Sequence, residues 1–453
     1  MMKGAVGSVI EAIGDTPIVR LQNVARDVES DIYVKLEYTN PGGSMKDRVA
    51  LCIIDDAEQQ GKLKPGGTIV EATSGNTGMG LAMISAIRGY QCVFVMPDKM
   101  SQEKVSALRA FGARVVICPT AVEPEDPRSY YQVAKRLVEE TPDAFYANQY
   151  HNPSNPQAHY VSTAPEIWRQ TAGELDVFVA GMGTGGTISG CGRYFKEQKP
   201  GFHVVGVDPI GSLYYEYVKT RRMTKPFSYY VEGIGEDFLP STMNLELIDE
   251  IVRVDDKECF LMTRELVRTE GVYAGGSSGA AVAGAIKYAR QSGRKENILV
   301  LLPDSAQKYL SKIFDDKWMH ENGFLDEEDE WGTVAHMIRG RERRVITVRK
   351  GATVSEAIGL LKQHDISQLP VLGESGRLSG IVTEVDLLNF IVSGVGKLDQ
   401  PIDDLVEADY QTVTPATRVV LLKNIFAEAK LVCVLDRDEL IAVVTKIDLI
   451  DYL

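Results

Sequence analysis

Val177-Phe178-Val179-Ala180-Gly181-Met182-Gly183-Thr184-Gly185-Gly186-Thr187-Ile188 reads as a strand that passes through a glycine turn into a helix. Four apolar residues in a row suit a strand covered on both faces, as in a parallel sheet flanked by helices. The glycines that follow let backbone N–H groups crowd at a helix start, where unpaired donors favour an anion. A strand of that kind joined to a helix in this way sets the fold class as α/β.

The same alternation extends outward over about residues 32–302. Predicted strands are 32–36, 68–72, 92–96, 114–118, 177–180, 203–208 and 298–302. Predicted helices are 47–60, 77–88, 101–111, 130–140, 188–196, 256–270 and 279–292. This order implies mostly parallel sheets with ligands at the carboxyl ends of the strands. The alternation fades after Pro303, and residues 323–335, with an acidic run at 326–330, read as a linker. Residues 1–322 are therefore expected to form one domain and 336–453 another.

The second domain carries an internal repeat. Ser379-Gly380-Ile381-Val382-Thr383-Glu384-Val385-Asp386-Leu387-Leu388 is echoed by Leu440-Ile441-Ala442-Val443-Val444-Thr445-Lys446-Ile447-Asp448-Leu449. Helix openings at Ala352-Thr353-Val354-Ser355 and Ala416-Thr417-Arg418-Val419 precede them. Two copies, about 336–395 and 396–453, predict a pseudo-symmetric pair.

With 453 residues the chain is too long for one ordinary core. It holds 49 basic against 63 acidic residues, a net charge of -14, which leaves no basic face for nucleic acid or an anionic membrane. Cys52, Cys92, Cys118, Cys191, Cys259 and Cys433 show no CxxC spacing and read as reduced core residues, so no metal site is expected. No stretch approaches a membrane span and residues 1–15 carry no export signal, so a cytoplasmic location is expected.

Three further turns carry chemistry. Asn40-Pro41-Gly42-Gly43-Ser44-Met45-Lys46-Asp47-Arg48 places Lys46 in a first helical turn, whose positive end disfavours an ammonium and favours the free amine. A free amine is what Schiff-base formation needs; a surface lysine beside a flexible turn is the plainer alternative. Glu71-Ala72-Thr73-Ser74-Gly75-Asn76-Thr77-Gly78 forms a nest suited to a carboxylate, although Ser74 or Asn76 could equally be helix caps. Gly275-Gly276-Ser277-Ser278-Gly279 offers the Ser277 hydroxyl to a ring nitrogen, or as a cap. The Gly181-to-Gly186 turn also satisfies G-x-G-x-x-G, with Asp208 ending the next strand. A nicotinamide dehydrogenase is thus the rival reading, and it leaves the lysine turn unexplained.

Together the four segments, over about residues 10–324, resemble the fold-type II pyridoxal-phosphate enzymes. That resemblance implies two α/β subdomains and pyridoxal 5'-phosphate held by Lys46. It implies Asn76 at the ring hydroxyl, Gly183, Thr184, Gly185, Gly186 and Thr187 around the phosphate, and Ser277 at the ring nitrogen. Thr73, Ser74, Gly75 and Thr77 are implied to hold a substrate carboxylate. Residues 148–160 and Val231-Glu232-Gly233-Ile234-Gly235 are more similar to cystathionine β-synthases than to cysteine synthases, which usually have Gln at the Glu232 position. The first group joins serine to homocysteine, and hydrogen sulfide from cysteine is a side reaction to expect; the second uses O-acetylserine and sulfide. Hydroxide leaves less readily than acetate and needs a proton donor. Tyr150 and Glu232 become candidate substrate residues, with a structural hydrogen bond the equal alternative for Glu232. Glu236 departs from the tyrosine of the animal enzymes, and a carboxylate there could contact an amino group of the thiol substrate or face water. Few residues precede the pattern, with no Cys or His among them, so no haem is expected.

The repeat resembles a pair of CBS domains, which bind adenosyl compounds. This implies Thr383, Asp386, Thr445 and Asp448 as contacts for S-adenosylmethionine or an adenine nucleotide. Plain helix capping is the alternative. The family is typically dimeric, so a homo-oligomer is expected.

Overall fold

The apolar runs pair as two sheets in the first of two units, Met1–Phe324, while Leu325–Leu453 forms the second. The computed structural model describes residues 2, 4–73, 75–98, 100, 102–119, 122, 126–325, 331–339, 345–394, 396–408, 410–429 and 431–453. Ser74 and the acidic run 326–330 lie outside the described residues.

In chain order the strands of the first unit are β1 (Ile18–Arg20), β2 (Asp31–Leu36), β3 (Thr68–Ala72), β4 (Gln91–Pro97), β5 (Arg114–Cys118), β6 (Ala144–Tyr146), β7 (Val177–Gly181), β8 (His203–Pro209), β9 (Glu250–Val254) and β10 (Asn297–Leu302). The larger sheet runs β1-β2-β10-β7-β8-β9, parallel except for β1, and the smaller runs β5-β4-β3-β6, parallel throughout. All seven predicted strands form. The three strands that were not predicted, β1, β6 and β9, are short or half-exposed sheet edges. An edge strand buries less, so it lacks the continuous apolar run that betrays a central one.

Covering helices bury one face each. Val49, Ile53 and Ile54 of helix Lys46–Gln59 pack with Leu81 and Ile84 of helix Asn76–Arg88 in the core of the smaller sheet. Phe178 of β7 packs with Ile188 and Phe195 of helix Gly186–Gln198 in the core of the larger. The predicted helix over 256–270 ends its α-helical part at Glu265 and closes as a π-turn, Leu266–Glu270. All six cysteines are unpaired, and all but Cys52 are buried. No helix among the described residues is long and apolar enough to cross a membrane.

The second unit holds two three-stranded sheets, β11 (Val348–Arg349), β12 (Gln368–Leu372), β13 (Leu378–Thr383), then β14 (Gln411–Val413), β15 (Leu431–Asp436), β16 (Glu439–Thr445). Each has one parallel and one antiparallel pairing, and β13 and β16 each run into a helix, Glu384–Val392 and Lys446–Tyr452. The two cores do not divide the chain at one point. Val334 and Met337 pack with the second sheet, beside Val419 and Val432, whereas Ile402 packs with the first. Of the two helix openings, Thr353 caps its helix but Thr417 does not; Arg418 is the N-cap residue there.

Candidate active site

Three turns meet because β2, β10 and β7 are neighbours with parallel register. Their carboxyl ends share one edge, so the turn carrying Lys46 after β2, Asp304 after β10 and the glycine turn after β7 converge. The Met45 N–H donates to the Pro303 carbonyl at 2.9 Å and clamps the first two together. Lys46, Gly183, Thr184, Gly185, Thr187 and Gly233 line a single cavity.

Lys46 is the first residue of its helix. Burial lowers its pKa from 10.5 to about 8, against the opposing pull of the Asp304 and Glu236 carboxylates. Desolvation wins because it penalises only the charged form, and the carboxylates recover part of that loss.

Across the cavity the glycines are required by space. A Cβ on Gly185, which has φ +85, would stand 2.5 Å from Met243 Cα, and one on Gly186 only 1.9 Å from Asn155 Oδ1. That oxygen is buried with no hydrogen-bond partner among the described residues, while the Asn155 amide donates to Thr184 Oγ1 at 3.0 Å. Thr187 Oγ1 lies 3.1 Å from His159 Nε2 and 3.3 Å from Met45 Sδ. His159 is fully buried, and burial drives its pKa well below 6.5, so the ring stays neutral.

In the turn after β3, Thr73 Oγ1 accepts from the Gly75 N–H at 3.0 Å, and the Thr77 hydroxyl donates to Gln149 Oε1 at 2.6 Å. These two hydroxyls shape the turn, with Gly75 at φ +127. Asn76 opens the next helix, held by Asp304 and Lys308. Ser277 is buried in the first turn of helix Gly276–Ser292, its Oγ 4.0 Å from where a Cβ on Gly233 would stand.

Tyr150 packs its ring against Tyr131 and Phe238, centroids 5.8 and 5.2 Å away. Glu232 bridges two cations, Lys104 of helix Gln102–Ala110 and Lys312, the latter at 2.6 Å. Lys104 sits under Gly75, where a Cβ would meet its Cδ at 3.0 Å. Glu236 lies close enough to Lys46, Tyr130, Tyr131 and Tyr150 to raise the pKa of each, although burial is the larger influence on all four. Sequence reading missed Asp304, Lys308, Lys104, Lys312, Asn155 and His159. Of these only Asp304 had a signal, its place just past the carboxyl end of a buried strand.

In the second unit, Thr383 with Asp386 and Thr445 with Asp448 form capping boxes. Each aspartate Oδ2 accepts its threonine's N–H at 2.8 Å and hydroxyl as well. Each Thr–Asp pair of the repeat thus caps the helix that follows it.

Residues 9–304 match the family of pyridoxal-phosphate dependent enzymes, and residues 337–393 match the CBS domain. The cystathionine beta-synthase of Dictyostelium discoideum is 40% identical, over 98% of this chain and 92% of that protein. That of Oryctolagus cuniculus is 42% identical, over 89% of this chain and 74% of the other. The crystal structure of the O-acetylserine dependent cystathionine beta-synthase from Helicobacter pylori matches with a TM-score of 0.63 and 38% identity, over 69% of this chain and 99% of that one. The chain belongs to the pyridoxal-phosphate dependent enzymes and, among them, to the cystathionine β-synthase family. The dehydrogenase reading falls: Asp208, its ribose acid, instead accepts the Tyr215 N–H at 2.9 Å.

Proposed function

We propose that this chain catalyses a β-replacement on L-serine. The Cβ–O bond of serine breaks, a Cβ–S bond to L-homocysteine forms, and cystathionine and water leave. The observation that carries this reading is the one cavity that sets the Lys46 amine opposite the Gly183–Thr187 turn.

The residues present fit pyridoxal 5'-phosphate: a cradle that any Cβ would fill, at the start of a helix, faces an amine whose pKa is lowered toward its reactive form. Bound there, the cofactor supplies an electron sink for the charge left at the substrate α-carbon. The backbone of residues 183–187 with the Thr184 and Thr187 hydroxyls holds the phosphate, Asn76 the ring oxygen and Ser277 the ring nitrogen. Thr73, Ser74, Gly75 and Thr77 are the residues proposed to take the substrate carboxylate. Freed Lys46 removes the α-proton and delivers a proton to the departing hydroxyl oxygen; a pKa of about 8 suits both tasks. Glu232 acts through its cations, tying Lys104 beneath the carboxylate turn to Lys312. Tyr150 walls the path of the second substrate, and Glu236 receives that substrate's ammonium group. With cysteine in place of serine, the Cβ–S bond breaks instead, homocysteine sulfur adds to Cβ, and hydrogen sulfide leaves with cystathionine.

Because Schiff-base formation needs a free amine, capture of pyridoxal 5'-phosphate by the cofactor-free chain, in which Lys46 would hold it, should quicken as pH rises toward about 8 and level off above it. Stopped-flow absorbance checks this; a rate flat from acid to alkaline pH would remove the lowered amine pKa from the account.

Serine with homocysteine, and separately O-acetylserine with sulfide, decides between this reading and a cysteine synthase. O-acetylserine as the donor is supported by the O-acetylserine dependent cystathionine beta-synthase of Helicobacter pylori. Product from serine is the expected outcome, and product from the acetylated donor alone would replace it. Glu236→Gln should raise KM for homocysteine about tenfold, the loss of one charge-assisted contact, and leave KM for sulfide, which has no ammonium, unchanged. Equal effects on both thiols would dismiss Glu236 as the ammonium site.

The unit Met1–Phe324 is the catalytic part, and the CBS pair lies within Leu325–Leu453. S-adenosylmethionine or an adenine nucleotide is the ligand proposed for Asp386 and Asp448, and a homodimer or higher oligomer in the cytoplasm the working form; the unpaired cysteines support a reducing compartment. Isothermal titration of the full chain with S-adenosylmethionine tests the ligand.

A further inference from the structure

Asn76 is gripped at both ends of its amide. Its Oδ1 accepts from Lys308 Nζ at 2.6 Å and its Nδ2 donates to Asp304 Oδ2 at 2.8 Å. The orientation is decided by chemistry. A lysine amine held against two acceptors donates to them, and a carboxylate accepts, so a flipped amide would lose both bonds. Nδ2 carries two hydrogens; one goes to Asp304, and among the described residues no protein acceptor takes the other.

The grip is itself braced. Lys308 also donates to the Gly43 carbonyl at 3.2 Å, in the turn that carries Lys46. Asp304 is fully buried, accepts from the Tyr309 hydroxyl at 2.8 Å and acts electrostatically on Lys46. Lys308 thus links the helix start at Asn76, on the smaller sheet, to the lysine turn on the larger.

We propose that Lys308 is a positioning residue which, with Asp304, fixes Asn76 as a donor and polarises its amide, so that the remaining N–H selects an ionised oxygen on the cofactor ring. This rests on the reading that the Lys46 cavity holds pyridoxal 5'-phosphate with its ring oxygen at Asn76. A cation on the amide oxygen draws electron density from the amide nitrogen and strengthens its N–H as a donor, as hydrogen bonds in a chain polarise one another. A stronger donor favours O⁻ over O–H at its acceptor.

The test uses the full chain loaded with pyridoxal 5'-phosphate, as Lys308→Met, Lys308→Gln and Asn76→Ala, and as Lys308→Met combined with Asn76→Ala. Visible against near-ultraviolet absorption across pH reports the ionised and neutral ring oxygen, and titration of the cofactor-free chain reports Kd. Lys308→Met should move the bound cofactor toward the near-ultraviolet form and weaken its binding about tenfold. Lys308→Gln, which keeps a neutral donor, should fall between Lys308→Met and the unaltered protein, and it carries the test if Lys308→Met fails to fold. In the Asn76→Ala background Lys308→Met should change the spectrum no further, whereas a merely structural lysine would add its own effect. Unaltered spectra in both Lys308 variants, or additive effects with Asn76→Ala, overturn the proposal. If the unaltered chain binds no pyridoxal 5'-phosphate, the cavity reading fails and the proposal falls with it; binding without any effect at Lys308 leaves that reading standing and removes the proposal alone.

Discussion

Lys46→Ala is expected to lower kcat for cystathionine formation by about 10³- to 10⁴-fold, because one amine serves as cofactor anchor, base and acid. The same change should abolish the absorption that marks a lysine-bound cofactor, while phosphate-dependent binding through residues 183–187 persists. Stability should not fall. Alanine is the best helix former, and Lys46 opens a helix. Burial that lowers the lysine pKa to about 8 makes its ammonium unfavourable to the native state at neutral pH. The sign follows from that direction: a lysine whose native pKa is lowered costs the fold stability as pH falls from 10.5 through about 8, and below about 8 that cost is complete. A melting temperature equal to or above that of the unaltered protein, with activity lost, separates a chemical role from a structural one. Residual activity within tenfold of the unaltered chain would remove Lys46 from the mechanism.

Arg48→Met should destabilise the first unit by about 3–5 kcal/mol, the usual result of stripping one partner from a buried ion network. Arg48 donates to Glu37 through Nε and Nη2, both at 2.9 Å, and to Glu166 at 2.8 and 3.0 Å. Lys35, itself fully buried, pairs with Glu166 and donates to the Thr16 carbonyl at 2.6 Å. Two carboxylates meet two cations, so removing one cation leaves a buried negative charge without a counterpart. Arg48 lies two residues beyond Lys46 on the same helix, so the network fixes where the amine stands, and cofactor affinity should fall too.

The acid limb follows. Burial alone would raise the Glu166 carboxyl, but the Arg48 and Lys35 hydrogen bonds and charges outweigh it and bring the pKa to about 2 from 4.5. That contribution is whole above about 4.5 and disappears as pH falls through about 2. Urea melts from pH 7 downward should show the unaltered chain losing stability in that window and Arg48→Met losing less, from a lower start. A loss under 1 kcal/mol at pH 7 would mean that methionine packing offsets the network.

The local chemistry of this protein was legible in its sequence. Central strands, the helices that follow them and the glycine turns depend on residues within a few positions of one another, so apolar runs and glycine spacing reveal them. Lys46 at a helix start, the cradle at 183–187 and the two Thr-x-x-Asp caps were found on that basis.

Which turns would face each other was decided only in three dimensions, by the order β2-β10-β7. Asn76 meets Asp304 across 228 positions, and Glu232 meets Lys104 across 128. Such pairings depend on strand neighbours chosen by the burial of whole faces, and no short-range pattern records that choice. For the same reason Glu232, open in the sequence between a substrate contact and a structural hydrogen bond, stands in the fold as the bridge between two lysines, and Lys308, unmarked in the sequence, stands against Asn76.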